Sequence, residues 1–143
     1  MEIVLAPNPI LEQVAEKIED INEFKDILLV MKDYCKNGEN VGGLALPQIG
    51  ISKRAFVMKM GRDAEIIINP EIIKKSKFMT SLKSGESCLS IPDKKVIIRR
   101  HRSVKVKYTT IHGEERRIKL KGVFSIIFQH EYDHLDGILI TAK

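Results

Sequence analysis

The fold is decided by residues 122–137, which read GVFSIIFQHEYDHLDG. The apolar side chains and two histidines of this segment recur at spacings of three and four, which predicts an amphipathic helix, and a glycine supplies the stop signal. Ile126 and Ile127 then share a face with His130 and His134. Unpaired imidazoles would be costly to bury on that face, and a bound metal ion would remove the cost.

A second helix is predicted near the N-terminus, over roughly residues 21–36. Asp20 and Glu23 form a capping-box pattern ahead of an apolar repeat with helical spacing. Met31 and Cys35 fall on the apolar face of that repeat. Both are therefore interpreted as core residues.

Between the two helices the sequence predicts antiparallel sheet. Short runs rich in β-branched residues are separated by turn residues such as His112-Gly113. The predicted strands are Ala55–Met60, Glu65–Asn69, Val96–Arg100, Val104–Thr110 and Arg116–Lys119. The order helix, strands, helix predicts the α+β class, with antiparallel sheets packed around a C-terminal metal-binding helix and with an N-terminal helix.

Length and composition indicate one domain spanning residues 1–143, because 143 residues with 43% hydrophobic and 30% charged content suit a single core. No apolar run approaches the roughly 20 residues that span a bilayer. The first residues, Met1-Glu2-Ile3-Val4, lack the basic region of a secretory signal. We expect a cytoplasmic protein with no membrane segment, and a monomer.

The formal charge of +5 is unevenly distributed along the chain. Residues 1–40 hold four lysines and nine acidic residues, whereas residues 94–121 hold eleven Lys or Arg against only Glu114 and Glu115. Such a basic stretch is able to contact RNA or phosphate groups, among them those of the ribosome. The alternative is a solvated hairpin with charged outer faces.

The strongest chemical signal is His130-Glu131-Tyr132-Asp133-His134. Two imidazoles at positions i and i+4 of a helix reach one metal ion, and the intervening glutamate lies close enough to move protons. A catalytic tetrahedral site needs a further protein ligand and an open position for water.

Cys88 is the leading candidate for the third ligand. The residues after His134 include Asp136 but no His or Glu, so the ligand has to come from upstream. A thiolate in the polar turn before Pro92 would bind better than a solvated carboxylate. A structural cysteine, or a disulfide between Cys35 and Cys88, remains an alternative at this point.

Three ordered segments resemble the peptide deformylases. They are Gly43-Leu44-Ala45-Leu46-Pro47-Gln48, Glu86-Ser87-Cys88-Leu89-Ser90 and Gln129-His130-Glu131-Tyr132-Asp133-His134-Leu135. Their order and spacing both fit that family, and the likeness covers nearly the whole chain. The combination is far more specific than the histidine motif alone.

The resemblance implies roles for six residues. Cys88, His130 and His134 would bind one divalent metal ion, with Fe(II) as the physiological ion and zinc, nickel or cobalt able to replace it. Glu131 would be the general acid and base. The Gln48 side chain and the Leu89 backbone N–H would form the oxyanion site, where a metal-bound hydroxide attacks the formyl carbon.

The substrate implied by the resemblance is the N-terminal formyl-methionine of a nascent polypeptide. Its methionine side chain would enter an apolar pocket. The residues expected to bind substrate are Gly43, Glu86, Val123, Ile126 and Ile127. Arg100 and Asp133 match a pair that supports the metal-binding helix in the family.

The chain departs from the family pattern at Val41, Gly42, Leu46 and Ser87. The family usually has Gly, a larger aliphatic residue, Ala and Gly at these positions. None of these changes removes a ligand, a donor or the base. The sequence also ends without the C-terminal helix of many members, so we expect a compact form of the enzyme.

Two alternative functions share the same residues. One is another small metallo-amidase or peptidase with the same Cys/His/His site. The other is a metal-stabilised module that binds RNA or the ribosome. A structural zinc site is normally closed by four protein ligands, and three are identified here.

Overall fold

A computed structural model describes residues 1–143 and contains two α-helices and nine β-strands. The helices are α1, Lys25–Asn37, and α2, Val123–Leu135. The strands are β1, Gly43–Ala45; β2, Ala55–Met60; β3, Asp63–Lys75; β4, Met79–Thr80; β5, Glu86–Cys88; β6, Ile91–Val96; β7, Arg100–His101; β8, Ser103–Thr109; and β9, Glu115–Lys121. All strand pairs are antiparallel, so the predicted α+β class is confirmed.

The largest sheet has five strands in the order β1-β2-β3-β8-β9. Alternation along β8 turns Val104, Val106 and Tyr108 inward, and the hairpin to β9 turns at Gly113, whose φ is 83°. Two small ladders, β4 with β7 and β5 with β6, lie outside this sheet. The first of them contacts α2 through β7.

The two helices cover opposite faces of the large sheet. From α1, Leu28, Met31 and Cys35 pack with alternate residues of β2 and β3. From α2, Phe128 packs on the other residues of the same strands and meets Phe56 edge to face, with ring centroids 5.2 Å apart. The core positions predicted for Met31 and Cys35 are confirmed. Neither helix has the length and apolar character needed to cross a membrane.

The first helix begins later than the capping pattern predicts. Asp20 accepts a hydrogen bond from the backbone N–H of Asn22 at 3.1 Å, and it caps a short 3₁₀ turn, Ile21–Glu23. Phe24 leaves the helical conformation with φ −114° and ψ 2°, and α1 starts after it. The predicted single helix is therefore a 3₁₀ turn followed by an α-helix.

The predicted strand Val96–Arg100 is wrong. Val96 ends β6, which pairs with β5, whereas Arg100 begins β7, which pairs with β4. Ile97 is 66% exposed between them. The chain changes sheets in this segment, and a local β-rich pattern does not reveal which strand will be the partner.

Side-chain contacts with neighbouring elements hold α2 in place. The amide of Gln129 accepts from the backbone N–H of His101 at 3.0 Å and donates to its carbonyl at 2.8 Å. Arg54 donates to the carbonyl of Leu135 at 2.9 Å and pairs with Asp136 at 3.0 Å. The middle and the C-terminal end of α2 are thus fixed against the sheets.

Candidate active site

The three predicted metal ligands converge between β5 and α2. One ligand atom from each of Cys88, His130 and His134 lies within 4.8 Å of the others. Cys88 Sγ lies 3.4 Å from His134 Nε2. Bond lengths of about 2.3 Å to sulfur and 2.1 Å to nitrogen at a tetrahedral ion imply about 3.6 Å between such atoms. The donor set and its spacing fit one divalent ion.

Local structure explains this convergence. Residues four apart on a helix lie one above the other, and the rings of His130 and His134 meet with centroids 5.2 Å apart. Cys88 ends β5 opposite Ile91 of β6, and it is buried beside Ile98 and Ile140. Both cysteines are free, so the alternative of a Cys35–Cys88 disulfide is wrong.

A buried carboxylate orients one of the imidazoles. His130 Nδ1 lies 2.9 Å from Glu86 Oε1. With the proton on Nδ1, the lone pair of Nε2 is left to face a metal. Arg100 grips the same carboxylate through Nε and Nη2 at 2.9 and 2.8 Å, and its Nη1 donates to Asp133 at 2.6 Å. The network therefore ties β5, β7 and α2 together behind the ligands.

Burial sets the protonation of the site. It raises the pKa of Glu131 to about 7, helped by the charge of Glu86 and opposed by that of Arg100. Burial would also raise the pKa of Glu86, but hydrogen bonds with His130 and Arg100 outweigh it and lower that pKa below its ordinary value. Burial, with the charge of Arg100 acting in the same direction, lowers the pKa of His134 to about 3. His134 is then neutral, the form that binds a metal.

Gln48 lies beside the ligand cluster in a short 3₁₀ turn and is buried. Its Oε1 accepts from the backbone N–H of Ala45 at 3.0 Å, which fixes the orientation of the amide. Its Nε2 then donates to Ser90 Oγ at 3.2 Å and to Cys88 Sγ at 3.6 Å. Leu89 follows Cys88 in the turn between β5 and β6. Both predicted oxyanion residues thus adjoin the same ligand.

A cavity of about 400 Å³ opens onto this cluster. Ten of the eleven predicted site residues line it: Gly43, Gln48, Glu86, Cys88, Leu89, Val123, Ile126, Ile127, His130 and Glu131. His134 lies behind them and is buried. Glu86 borders the cavity, but its carboxylate is engaged by Arg100 and His130.

Asn40, Leu82 and Pro92 also line the cavity and were not predicted as site residues. Asn40 lies between α1 and β1, Leu82 lies between β4 and β5, and Pro92 is in β6. No local sequence pattern indicates that these three segments meet at one cavity, because only the tertiary fold brings them together.

Comparison with known proteins gives one consistent result. The family model described as Polypeptide deformylase matches residues 1–143. The peptide deformylase of Carboxydothermus hydrogenoformans is 41% identical over 145 residues, which is 99% of this chain and 91% of that protein. The peptide deformylase of Halalkalibacterium halodurans is 37% identical over 162 residues, covering 99% and 88%. The chain belongs to the peptide deformylase family.

Solved structures agree with this membership. The crystal structure of peptide deformylase from Thermotoga maritima superimposes with a TM-score of 0.91 at 36% identity, over 99% of this chain and 95% of that chain. The chain is accordingly a hydrolase that removes the N-terminal formyl group from nascent peptides. The deformylase family and the Cys88, His130 and His134 cluster together indicate a single bound metal ion.

Two adjacent glycines of the first deformylase motif have different environments. A Cβ atom on Gly43 would lie 2.7 Å from the carbonyl oxygen of Val57 and 2.8 Å from Glu131 Oε2. The three atoms nearest to a Cβ atom on Gly42 all belong to Ile127, at 3.5 Å or more, which is ordinary contact. Gly43 is therefore required for close packing of Glu131, whereas Gly42 leaves open space beside the cavity.

The other departures from the family pattern are accommodated without strain. Positive φ angles at residues other than glycine occur only at Asn40 and Asn69. Val41 and Ser87 therefore have backbone conformations that do not need glycine, and both border the cavity. Leu46 is buried in the core beside α1.

Proposed function

We propose that the chain deformylates formyl-methionine peptides through one divalent ion held by Cys88, His130 and His134, with Glu131 as the proton carrier. The observation that carries this proposal lies at the mouth of the ligand cluster. Glu131 Oε1 is buried without a hydrogen-bond partner. Glu131 lines the same cavity as Cys88 and His130, so its unpaired carboxylate oxygen is suited to hold a reacting water molecule there.

A divalent ion in this site supplies two effects when bound: it lowers the pKa of a water molecule toward about 7, and it polarises the formyl carbonyl group. Fe(II) is proposed as the physiological ion. Zinc, nickel and cobalt also suit one thiolate and two imidazoles.

Glu131 is proposed to take a proton from the attacking water and to deliver it to the leaving amine. A general acid and base works best when its pKa lies near the operating pH. Burial has already raised the pKa of Glu131 to about 7. Glu131 lies on α2 next to His130, so the same helix carries the proton carrier and two of the proposed ligands.

Gln48 and the Leu89 N–H are proposed to donate to the oxygen that becomes negative as the formyl carbon turns tetrahedral. The amide of Gln48 is preorganised by the Ala45 N–H. A preorganised donor of this kind contributes about 3 kcal/mol to lowering the barrier. Each donor adjoins Cys88, so both address the same side of the reacting group.

The substrate methionine is proposed to bind against Val123, Ile126 and Ile127 of α2, with Gly43 at the edge nearest Glu131. Val123 is 49% exposed, which places it at the rim of the cavity. Ile126 is buried below it. We also propose that residues 1–143 act as one catalytic domain and as a monomer.

Two variants separate the proposed roles. Glu131→Gln keeps the ligands and nearly the same shape, so metal content should persist while kcat falls by about 10²- to 10⁴-fold. Cys88→Ala removes a ligand and should release the metal, with a lower Tm because the ion stabilises only the folded state. Cys35→Ala is the control and should keep its metal. Metal loss in Glu131→Gln but not in Cys88→Ala would show that the ligands are wrongly assigned.

A further inference from the structure

A second cavity differs from the one at the ligand cluster in the residues that line it. It is lined by six residues, none of them hydrophobic: Lys74, Lys75, Ser76, Ser103, Lys105 and Lys119. No carboxylate lines it, and the residues come from strands β3, β8 and β9 and from the turn after β3. Four of the six lining residues are lysines, and Lys74, Lys105 and Lys119 lie on the same face of the sheet.

Strand register places three of these lysines directly opposite one another. Lys74 pairs with Lys105 across β3 and β8, and Lys105 pairs with Lys119 across β8 and β9. Like charges directly opposite in a sheet are destabilising. The row therefore costs stability in the isolated chain, and a bound anion would remove that cost.

A neighbouring row of the same sheet satisfies its charges internally. Lys107 pairs with Glu71 at 2.9 Å and lies 3.9 Å from Glu115, which also bonds Arg117. Two residues further along β8 and β9 from Lys105 and Lys119, acidic side chains therefore lie among the basic ones. The absence of any acid at the lysine cavity is a local feature of Lys74, Lys105 and Lys119 rather than a property of the whole face.

An exposed aromatic residue, Phe78, lies two residues along the chain from Ser76 of the cavity wall. Phe78 is 76% exposed, the most of any large hydrophobic residue of the chain. Its carbonyl accepts from Ser76 Oγ at 2.8 Å and from the Arg102 N–H at 2.9 Å. Its backbone is therefore anchored to a residue of the cavity wall, while its ring faces solvent.

We propose that the lysine cavity and Phe78 together bind a single-stranded polynucleotide, with phosphates against the lysines and a base stacked on the phenylalanine ring. Positively charged grooves flanked by aromatic side chains bind single strands in this way without reading sequence. An acidic protein fits less well, because the centre of a protein interface is apolar and this cavity contains no apolar residue. The proposal does not depend on the hydrolytic chemistry.

The test is the salt dependence of binding to a labelled oligouridylate of about 12 nucleotides, within the site sizes of single-strand binders. Fluorescence anisotropy would give Kd from about 50 to 200 mM salt, where each phosphate contact contributes about −0.7 to the slope of log K against log salt. The triple variant K74Q, K105Q and K119Q should lower the magnitude of the slope by about 2. The matched triple variant K25Q, K32Q and K36Q, on α1, makes the same change in net charge and should leave the slope unchanged.

Phe78→Ala tests the stacking contact separately. It should weaken binding by about tenfold at every salt concentration and leave the slope unaltered, because it removes no charge.

Equal losses in the two triple variants, or no effect of Phe78→Ala, would overturn the proposal. Equal competition by a polyglutamate peptide would also overturn it in favour of an acidic protein partner. Hydrolysis of formyl-Met peptide should stay at the wild-type rate in all these variants, which confirms that they fold. If the triple variant does not fold, Lys105→Gln alone should reduce the slope by about 0.7.

Discussion

Gly43→Ala is the most revealing single change, because it adds one methyl group beside the proposed proton carrier. The new Cβ would lie 2.7 Å from the Val57 carbonyl oxygen and within 2.8 to 2.9 Å of two atoms of Glu131. The Val57 carbonyl belongs to β2, which pairs with both β1 and β3, so its position is held from two sides. Glu131 must therefore move away from the methyl group.

The size of the effect follows from these distances. Relief of the contact requires a shift of about 0.5 Å or more, and misplacement of a catalytic group by about 1 Å costs up to about 10²-fold in rate. We expect kcat to fall by about 10- to 100-fold. Overpacking costs about 1–3 kcal/mol, and replacing a strand glycine by alanine regains about 0.5–1 kcal/mol. The net effect of these two contributions should be a fall of about 1–2 kcal/mol in the free energy of unfolding.

Steady-state kinetics on a formyl-Met peptide, with metal analysis of the same samples, measures this directly. Metal content should not change, because the three atoms nearest to the methyl group belong to Val57 and Glu131 rather than to a ligand. Gly42→Ala is the matched control: its methyl group meets Ile127 at ordinary contact distance, so kcat should stay within about twofold. A wild-type kcat in Gly43→Ala would refute the argument that close packing positions Glu131.

Three further predictions concern the support of the site, its metal and its pocket. Arg100→Met leaves the Glu86 and Asp133 carboxylates buried without their partner, so denaturant unfolding should show a loss of about 3–5 kcal/mol and competition titration a 10- to 100-fold weaker metal affinity; a loss below about 1 kcal/mol would contradict this reading. An iron-loaded preparation should lose activity in air while a nickel-loaded one persists, because Fe(II) and the Cys88 thiolate both oxidise, and an air-stable iron form in a time course with and without oxygen would oppose this. Gly42→Val should lower kcat/KM for a formyl-Met peptide about tenfold relative to a formyl-Ala peptide, because it fills space beside Ile127; an unchanged ratio would mean that this space takes no part in substrate selection.

The parts of the fold that the sequence predicts well are those with a local cause. The pattern of α2 comes from its own residues, and the glycines at its two ends bound it closely. Strand β2 was predicted with the bounds that the structure shows, Ala55–Met60, because turn residues flank it. The β8–β9 hairpin follows from its alternation and its turn.

The parts that were missed depend on distant partners. Arg54 stabilises the end of α2 through Leu135, a contact across 81 residues of sequence, and nothing around Arg54 signals it. The chain also changes sheets after Val96, because β6 pairs with β5 whereas β7 pairs with β4. Local β-propensity carries no information about that change.

The site residues divide in the same way. His130, Glu131 and His134 follow from one helical motif, whereas Cys88 and Gln48 became candidates through elimination and family resemblance. Glu86 shows the limit of both approaches. The motif marks its position at the cavity, but only the structure shows that its carboxylate is held by His130 and Arg100.

The most direct test of the hydrolytic function is the comparison of kcat/KM for a formyl-Met peptide and for the acetyl-Met peptide of the same sequence. The assay should be anaerobic, with the metal content of the sample measured alongside. A formyl carbon carries only hydrogen, whereas an acetyl carbon carries a methyl group that would have to fit between Gln48 and the ligand cluster. We predict that the formyl peptide is hydrolysed faster by about 100-fold or more. Equal rates for the two peptides would contradict deformylation at this site.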